Sequence, residues 1–270
     1  MSEPVGTGNP LDSYTPPQMA RRVEAVGVTK AGLPLLPTLT LGLLAGAFIA
    51  FGGMFYTVVI TGSGLGFGPT RLLGGLAFSL GLVLVVVGGA ELFTGNTLIV
   101  MAWAERKITT LRLLRNWGLV YLGNFAGAVG SVVLVWLSGT LEAGGGAVGE
   151  TAAVIAAGKT RRDFVEAFAR GILCNALVCL AVWLCFAARS VADRFLAIIL
   201  PIAAFVALGF EHSVANMYLI PIGQLTGAGL DVGGFLGNLV PVTLGNIVGG
   251  GVFVALVYWV CYLRGRSGDG

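Results

Sequence analysis

Polar residues interrupt two of the long apolar stretches of this chain, and these interruptions constrain its fold more than any other feature. One of them, Gly209–Asn216, contains a glutamate, an asparagine and His212, the only histidine in the sequence. The other, Gly89–Asn96, has the same spacing, so that both read G-x-E-x-x-x-x-N. Broken apolar segments at matching places in the two halves of a chain are typical of a solute site within a membrane.

The composition is that of a membrane protein. Hydrophobic residues make up 56% of the chain and charged residues 11%, whereas a soluble domain carries about 25% charged residues. Many of the 43 glycines lie in apolar runs, where small residues let membrane helices approach closely. The net charge of +3 is too small to indicate nucleic-acid binding. The cysteines lack metal-site spacing, so no metal or cofactor is implied and we expect buried small hydrophobes at Cys174, Cys179, Cys185 and Cys261.

Apolar runs long enough to cross a hydrocarbon core of roughly 30 Å predict six membrane segments. The connection Ser138–Asp163 is predicted to be a loop. The second segment is broken at Glu91–Asn96 and the fifth at Glu211–Asn216. The predicted segments are Thr38–Ile60, Leu72–Gly89 with a continuation Thr97–Ala104, Trp117–Leu137, Val165–Ala188, Phe195–Gly209 with a continuation to Ile222, and Leu236–Leu263.

These segments predict an all-α membrane protein whose six transmembrane helices form an inverted three-plus-three repeat with helices 2 and 5 broken. Three spans per repeat force the second copy to enter from the opposite side. Leu122–Gly127 and Leu244–Gly249 also correspond. The predicted channel domain covers 34–263, with repeats at about 34–138 and 164–263. Residues 1–33 are predicted to be a cytoplasmic segment, and 264–270 a cytoplasmic tail.

Within the N-terminal segment, Gln18–Lys30 is predicted to be a short interfacial helix. Its apolar face is predicted to contain Met19, Val23 and Val26, with Glu24 on the opposite face. Placing both termini in the cytoplasm satisfies the positive-inside bias. The cations then assigned to the inside are Arg21, Arg22, Lys30, Arg106, Lys107, Arg112, Arg115, Arg189, Arg194, Arg264 and Arg266, and those assigned to the outside include Arg71, Lys159, Arg161 and Arg162.

The residues at the breaks favour an anionic solute. A resumed half-helix presents free N–H groups and a positive dipole end, and Thr94 and Ser213 supply hydroxyls there. His212 titrates near neutrality and could give a proton to a weak-acid anion. A bare carboxylate-sized ion costs on the order of 20 kcal/mol to bury, and the neutral acid avoids most of this. Glu91 and Glu211 are interpreted as anchors that accept hydrogen bonds from exposed backbone N–H groups.

Four stretches make the chain resemble the formate/nitrite transporter family: Glu91–Thr94, Asn175–Trp183, Gly209–Met217 and Pro241–Gly250. The resemblance implies an aquaporin-like fold, a homopentamer, and a gating role for the N-terminal helix. It also implies a flexible loop at Thr94. For the solute pathway it implies His212 as the central histidine beside Asn175, Lys159 as a vestibule lysine, Glu211, Asn216 and Asn246 as supporting polar residues, and Phe78, Leu82, Leu92 and Phe205 as constrictions.

The hypothesis is a multi-pass channel of the inner membrane for formate and related small monovalent anions, coupled to protons through His212. The predicted slits pair Leu82 with Phe78 and Leu92 with Phe205. A nitrite or hydrosulfide channel of the same family is the alternative, and the direction of transport stays open. A membrane enzyme that uses Glu211 and His212 together as a general base is a further hypothesis. The sequence offers no nucleophile or metal cluster to accompany them. A passive scaffold has no need of polar breaks.

Overall fold

The computed structural model describes residues 12–227 and 229–265, and every regular element within them is helical. Short 3-10 helices occur at Thr97–Ile99 and Thr140–Glu142, and Val248–Leu256 is π-helical. The α-helices are α1 (Pro16–Ala31), α2 (Leu35–Ile60), α3 (Phe67–Gly88), α4 (Phe93–Asn96), α5 (Val100–Ala104), α6 (Thr110–Leu137), α7 (Ala147–Thr160), α8 (Phe164–Ala187), α9 (Val191–Ala207), α10 (Ser213–Thr226), α11 (Val232–Ile247) and α12 (Val257–Tyr262).

Five helical stretches in the described part of the chain are long and apolar enough to cross a membrane: α2, α3, α6, α8 and the continuous stretch Val232–Tyr262. The predicted fifth span corresponds to α9 and α10. With 17 residues, α9 is about 25 Å long, and α10 has 14 residues. Neither of these two helices reaches the length of a full span alone.

The two interruptions are shorter than the sequence predicts. Within the two interruptions the chain is non-helical only from Gly89 to Leu92 and from Leu208 to His212, and helices resume at Phe93 and Ser213. Gly89 and Gly209 have φ angles of 81° and 74°, the left-handed conformation in which helices commonly end. A side chain at either position would strain the backbone. The asparagines that we predicted within the breaks therefore lie in the first turns of α4 and α10.

The prediction of a loop at Ser138–Asp163 was wrong, because this segment contains α7. Three glycines with positive φ precede the helix, and its residues are small, so the segment lacks the apolar period that marks a helix. Packing explains why it forms. Ala152 and Ala156 of α7 are buried, and a Cβ on Gly223 of α10 would overlap the carbonyl of Ala152.

α1 begins and ends close to its predicted bounds, but its buried face differs from the prediction. Met19 and Val23 are buried, whereas Val26 is 37% exposed. Glu24, predicted to lie on the solvated face, is buried and forms an ion pair with Lys107. That pairing is what makes burial of the carboxylate tolerable. Residues 1–11 of the predicted N-terminal segment and 266–270 of the predicted tail lie outside the described residues.

Three of the four cysteines are buried as expected, but Cys261 is exposed on the surface of α12. The apolar neighbours of Cys261 in the sequence predict a membrane segment without saying which of its faces is covered. Exposed apolar side chains occur along most of the long helices.

Two matching pairs of helices pack closely along glycines, and we call such a contact a glycine seam. In the first pair, a Cβ on Gly46 of α2 would overlap the backbone of Asn124 in α6. In the second, a Cβ on Gly249 would overlap the backbone of Ile172 in α8. Contact this close is the packing mode of membrane helices, since lipid supplies no hydrophobic force between them. The seams bring Asn124 and Asn246 up to the two interruptions.

Candidate functional site

The two interruptions meet at Thr94 and His212, and the Oγ1 atom of Thr94 lies 2.8 Å from Nε2 of His212. Both side chains are buried. His212 is also the N-cap of α10, because its Nδ1 accepts the backbone N–H of Ala215 at 3.0 Å. A backbone N–H can only donate, so a neutral imidazole in this position carries its proton on Nε2. The Nε2–H group therefore donates towards the hydroxyl of Thr94.

Asn246 satisfies the exposed backbone at the second interruption. Its Nδ2 donates to the carbonyls of Gly171 and Glu211 at 2.8 and 3.0 Å. Its Oδ1 accepts the N–H of Ser213 at 2.9 Å. This single buried amide thus satisfies one backbone group on each side of His212, and buried backbone groups of this kind must be paired.

Asn124 makes the same three contacts at the first interruption. It donates to the carbonyls of Gly42 and Glu91 at 2.8 and 2.9 Å and accepts the N–H of Phe93 at 2.9 Å. The sequence reasoning did not select Asn124 as a site residue. The sequence nevertheless contains a signal for it, because Leu-Gly-Asn motifs end at both Asn124 and Asn246.

Glu211 is fully paired with side chains. Nζ of Lys159 lies 3.0 and 3.1 Å from its two oxygens, a nitrogen of Arg162 lies at 3.0 Å, and Nδ2 of Asn216 donates at 2.6 Å. At the first interruption, Lys30 lies 2.9 Å from Glu91. The interpretation of both glutamates as acceptors for backbone N–H groups was wrong: among the described contacts, Asn124 and Asn246 do that.

Two further asparagines that the sequence reasoning missed complete these charge clusters. Oδ1 of Asn116 accepts from Asn96 at 3.0 Å, and its Nδ2 donates to the carbonyl of Lys30 at 3.0 Å. Asn238 accepts from Asn216 at 2.7 Å and donates to the carbonyl of Lys159 at 3.0 Å. The two clusters therefore share a lysine, a glutamate and two asparagines, and the second also contains Arg162.

Asn175 is buried between the two interruptions. Its Nδ2 donates to the carbonyls of Asn246 and Thr94 at 2.6 and 3.2 Å, and to Oγ1 of Thr97 at 3.1 Å. It contacts Thr94 and is thereby linked to His212, to which it donates no hydrogen bond. Oδ1 of Asn175 and Oγ of Ser213 have no hydrogen-bond partner in the described part of the chain. Buried polar atoms are rarely left unpaired, and these two belong to residues that flank the contact of Thr94 with His212.

Two cavities lie against this centre, and both contain predicted constriction residues. A cavity of about 350 Å³ is lined by Leu82 and Leu92. A cavity of about 500 Å³ is lined by Phe78, Phe205 and His212. The rings of Phe78 and Phe205 meet edge to face with centroids 5.6 Å apart. The predicted pairing of Leu82 with Phe78 and Leu92 with Phe205 was therefore wrong, because the leucines share one cavity and the phenylalanines share the other.

The basic residues that line one cavity were all predicted to lie on the same side of the membrane, and those that line the other cavity on the opposite side. Arg22, Lys30 and Arg194, all assigned inside, line the first cavity. The second is lined by Arg71, Lys159 and Arg162, all assigned outside. The helices thus keep the two sets of charges apart. His212 lines the second cavity, and Thr94 lies in the chain between Leu92 and Gly95, which line the first.

The model of a family described as formate/nitrite transporter matches residues 17–260. The chain belongs to the formate/nitrite transporter family. It is 45% identical to the formate channel FocA of Escherichia coli strain K12 over 95% of this chain and 97% of that protein.

Two solved structures are similar to the chain. A pentameric formate channel with formate bound is 44% identical and has a TM-score of 0.79, covering 85% of this chain and 98% of that one. An FNT family ion channel is 31% identical with a TM-score of 0.81, covering 90% and 98%. The family therefore comprises channels and transporters, and its members named here are not enzymes.

Proposed function

We propose that this chain is a membrane channel for formate and related small monovalent anions, which pass from one cavity to the other at Thr94 and His212. The observation that carries the proposal is the contact between Thr94 and His212, because His212 lines the second cavity and the neighbours of Thr94 in the chain, Leu92 and Gly95, line the first. The chain is also 45% identical to a formate channel. In this proposal the solute hydrogen-bonds to the unpaired atoms of Asn175 and Ser213, whose residues flank the contact.

The proposed architecture is an inverted repeat of six spans, with both termini in the cytoplasm and the second and fifth spans interrupted. The matching contacts of Asn124 and Asn246 support it. The matching lysine–glutamate pairs support a longer repeat than the sequence predicted, because Lys30 belongs to α1 and Lys159 to α7. In this proposal α1 is the first element of the first repeat, and α7 is its counterpart.

The cation that draws an anion into the second cavity is proposed to be Arg71. Lys159 and Arg162, by contrast, already pair with Glu211, so most of their charge is compensated. The Nε of Arg71 donates to the carbonyl of Ala207 at 3.1 Å, and no carboxylate of a described residue forms an ion pair with its guanidinium. An uncompensated cation in a cavity raises the local concentration of anions.

Proton coupling at His212 is proposed to involve the cap of α10. A neutral imidazole cannot give its Nε2 proton to formate, because it would become an imidazolate. The transfer therefore requires that Nδ1 first take up a proton, and Nδ1 already accepts the N–H of Ala215. Nδ1 can be protonated only when the cap opens, so a protonated Nδ1 and a capped α10 exclude each other. With the cap closed, the imidazole supplies a hydrogen bond from Nε2–H and no net proton.

The test is formate flux into proteoliposomes at a series of pH values. His212→Phe removes the donor and the cap, whereas His212→Asn keeps a good capping residue that cannot titrate. We expect His212→Asn to retain thermal stability while losing most of the pH dependence of flux. Unchanged flux and unchanged pH dependence in both variants would exclude the histidine from the mechanism.

Substrate choice is tested in the same vesicles. The family description includes nitrite, and hydrosulfide is another small monovalent anion. We expect formate to move fastest when formate, nitrite and hydrosulfide are compared at equal concentration and pH. Faster movement of nitrite or hydrosulfide would reassign the preferred solute without changing the proposed pathway.

A further inference from the structure

A third cavity lies apart from the proposed pathway, where α5 ends, α6 begins and α12 passes. Its volume is about 690 Å³. None of the residues that we place in the pathway lines it. Its wall combines the basic side chains of Arg106, Lys107 and Arg112 with two tryptophans, Trp103 and Trp259. Tryptophan and basic residues together are typical of the boundary between a membrane and water.

The cavity has an excess of positive charge. Among the residues that the structure describes, no carboxylate lines it, and of its three basic residues Lys107 is paired, with Glu24. Within the described residues, neither Arg106 nor Arg112 forms an ion pair. Two guanidinium groups are therefore available to an anion, and their planar donors suit phosphate oxygens in particular.

The tryptophans are held in place by their own N–H groups. Nε1 of Trp103 donates to Thr110 at 3.0 Å, and Nε1 of Trp259 donates to Glu105 at 2.6 Å. With their polar ends satisfied, both indoles offer ring surface to the cavity, next to Leu256 and Ile108. The wall is thus cationic in one part and apolar in another, as the junction of a lipid headgroup with its acyl chains requires.

Arg106 has the left-handed backbone conformation, with φ of 60°, and it is the only described non-glycine residue with a positive φ. It lies just after α5, where its N–H bonds to the carbonyl of Trp103 at 2.9 Å. Glycine is the residue that this position of a helix end favours. Glycine would adopt this backbone conformation more easily than arginine does. The backbone therefore does not explain the arginine, and we look to its side chain for a role.

We propose that this cavity binds the phosphate-bearing headgroup of an anionic phospholipid. Arg106 and Arg112 contact the phosphate, while Trp103 and Trp259 pack against the glycerol and the first methylene groups. Basic pockets between membrane helices are known to take such headgroups. The inference requires that the chain lie in a membrane and is independent of formate conduction, so the failure of either proposal leaves the other standing.

The experiment uses the full-length protein in detergent, titrated with phosphatidylglycerol or with phosphatidylcholine. Bound lipid is counted by native mass spectrometry, and the midpoint of thermal unfolding is followed. The variants are Arg106→Gly, which replaces the side chain with the residue that suits the backbone, Arg112→Gln, and the two combined. The matched control is Arg161→Gln, because Arg161 is exposed and has no ion pair within the described residues.

We expect phosphatidylglycerol, and not phosphatidylcholine, to bind and to raise the unfolding midpoint of the wild type. The double variant should bind it about tenfold more weakly or worse, since each basic group near an anionic headgroup strengthens binding several-fold, while Arg161→Gln should match the wild type. Equal binding by the double variant and the wild type would overturn the proposal. An equal midpoint shift with inorganic phosphate alone would also overturn it, because the site would then take the free ion.

Discussion

At the scale of single residues, the exposed backbone at the two interruptions is satisfied by asparagines and not by the glutamates of the interruptions. Asn124 and Asn246 replace the hydrogen bonds that an uninterrupted helix would have made. The sequence predicted their correspondence but not this role, because the role depends on which backbone groups lie opposite them. Glu91 and Glu211 are instead paired with lysines. A buried carboxylate without such a partner would be strongly destabilising.

Replacement of Asn246 by alanine should destabilise the protein severely. It leaves the N–H of Ser213 and the carbonyls of Gly171 and Glu211 without the partners they have now. An unsatisfied buried group costs about 1–3 kcal/mol, so we expect a loss of at least 3 kcal/mol. The measurement is thermal or denaturant unfolding in detergent.

The control for this variant is Gln224→Ala, which removes a single exposed hydrogen bond, to the carbonyl of Asp231. Exposed substitutions usually change stability by no more than about 0.5 kcal/mol. Similar losses for Asn246→Ala and Gln224→Ala would mean that Asn246 does not satisfy the backbone in the way described.

At the scale of helices, apolar length predicted most of the elements, and the errors have a common cause. Four long helices, α2, α3, α6 and α8, begin or end within a few residues of their predicted bounds. α7 was missed because its residues are small and its stability comes from contact with α10. The interruptions were predicted too long because asparagine and threonine look polar in sequence, although both fit within the first turn of a resumed helix.

The glycine seam between α2 and α6 makes a prediction of its own. A Cβ on Gly127 would overlap the carbonyl of Leu43, whereas a Cβ on Gly130, in the same helix, meets nothing within 4 Å. We therefore expect Gly127→Ala to destabilise by about 1–3 kcal/mol, the usual cost of overpacking. Gly130→Ala should be neutral or slightly stabilising.

The stability of both glycine variants is measured by unfolding in detergent, and formate flux can be measured in parallel. The seam also positions Asn124 at the first interruption, so Gly127→Ala should lower flux as well as stability. Equal stability of the two variants would show that α2 and α6 are not packed as closely as described.

At the scale of the whole molecule, the helices form two cavities that contain separate sets of cations, and Thr94 contacts His212, which lines the second of them. The oligomer belongs to this scale. A similar solved structure is a pentameric formate channel, and many apolar side chains are exposed on this chain, Leu200 among them at 72%. We predict a homopentamer. Native mass spectrometry should give about five times the protomer mass of 27.8 kDa, and a stable monomer or tetramer would contradict it.

The orientation in the membrane gives a separate prediction. We expect Gly64→Cys, in the turn between α2 and α3, to react with a membrane-impermeant maleimide from outside the cell. Val191→Cys, 61% exposed at the start of α9, should react only in inverted vesicles. Both variants need Cys261→Ser as background, because Cys261 is exposed. The opposite pattern of labelling would place the termini outside.

The sequence by itself determined that this chain is helical, that it crosses a membrane several times, and that two polar interruptions correspond. These properties follow from local hydropathy and spacing, because the partitioning of each stretch between lipid and water depends mainly on its own residues. Only the tertiary structure decided that Lys159 is bound to Glu211, that Leu82 and Leu92 line one cavity and that Lys30 of α1 is bound to Glu91. Such contacts join residues that are far apart in the sequence, and they depend on which helices the glycines allow to pack together. A local sequence pattern carries no information on that packing.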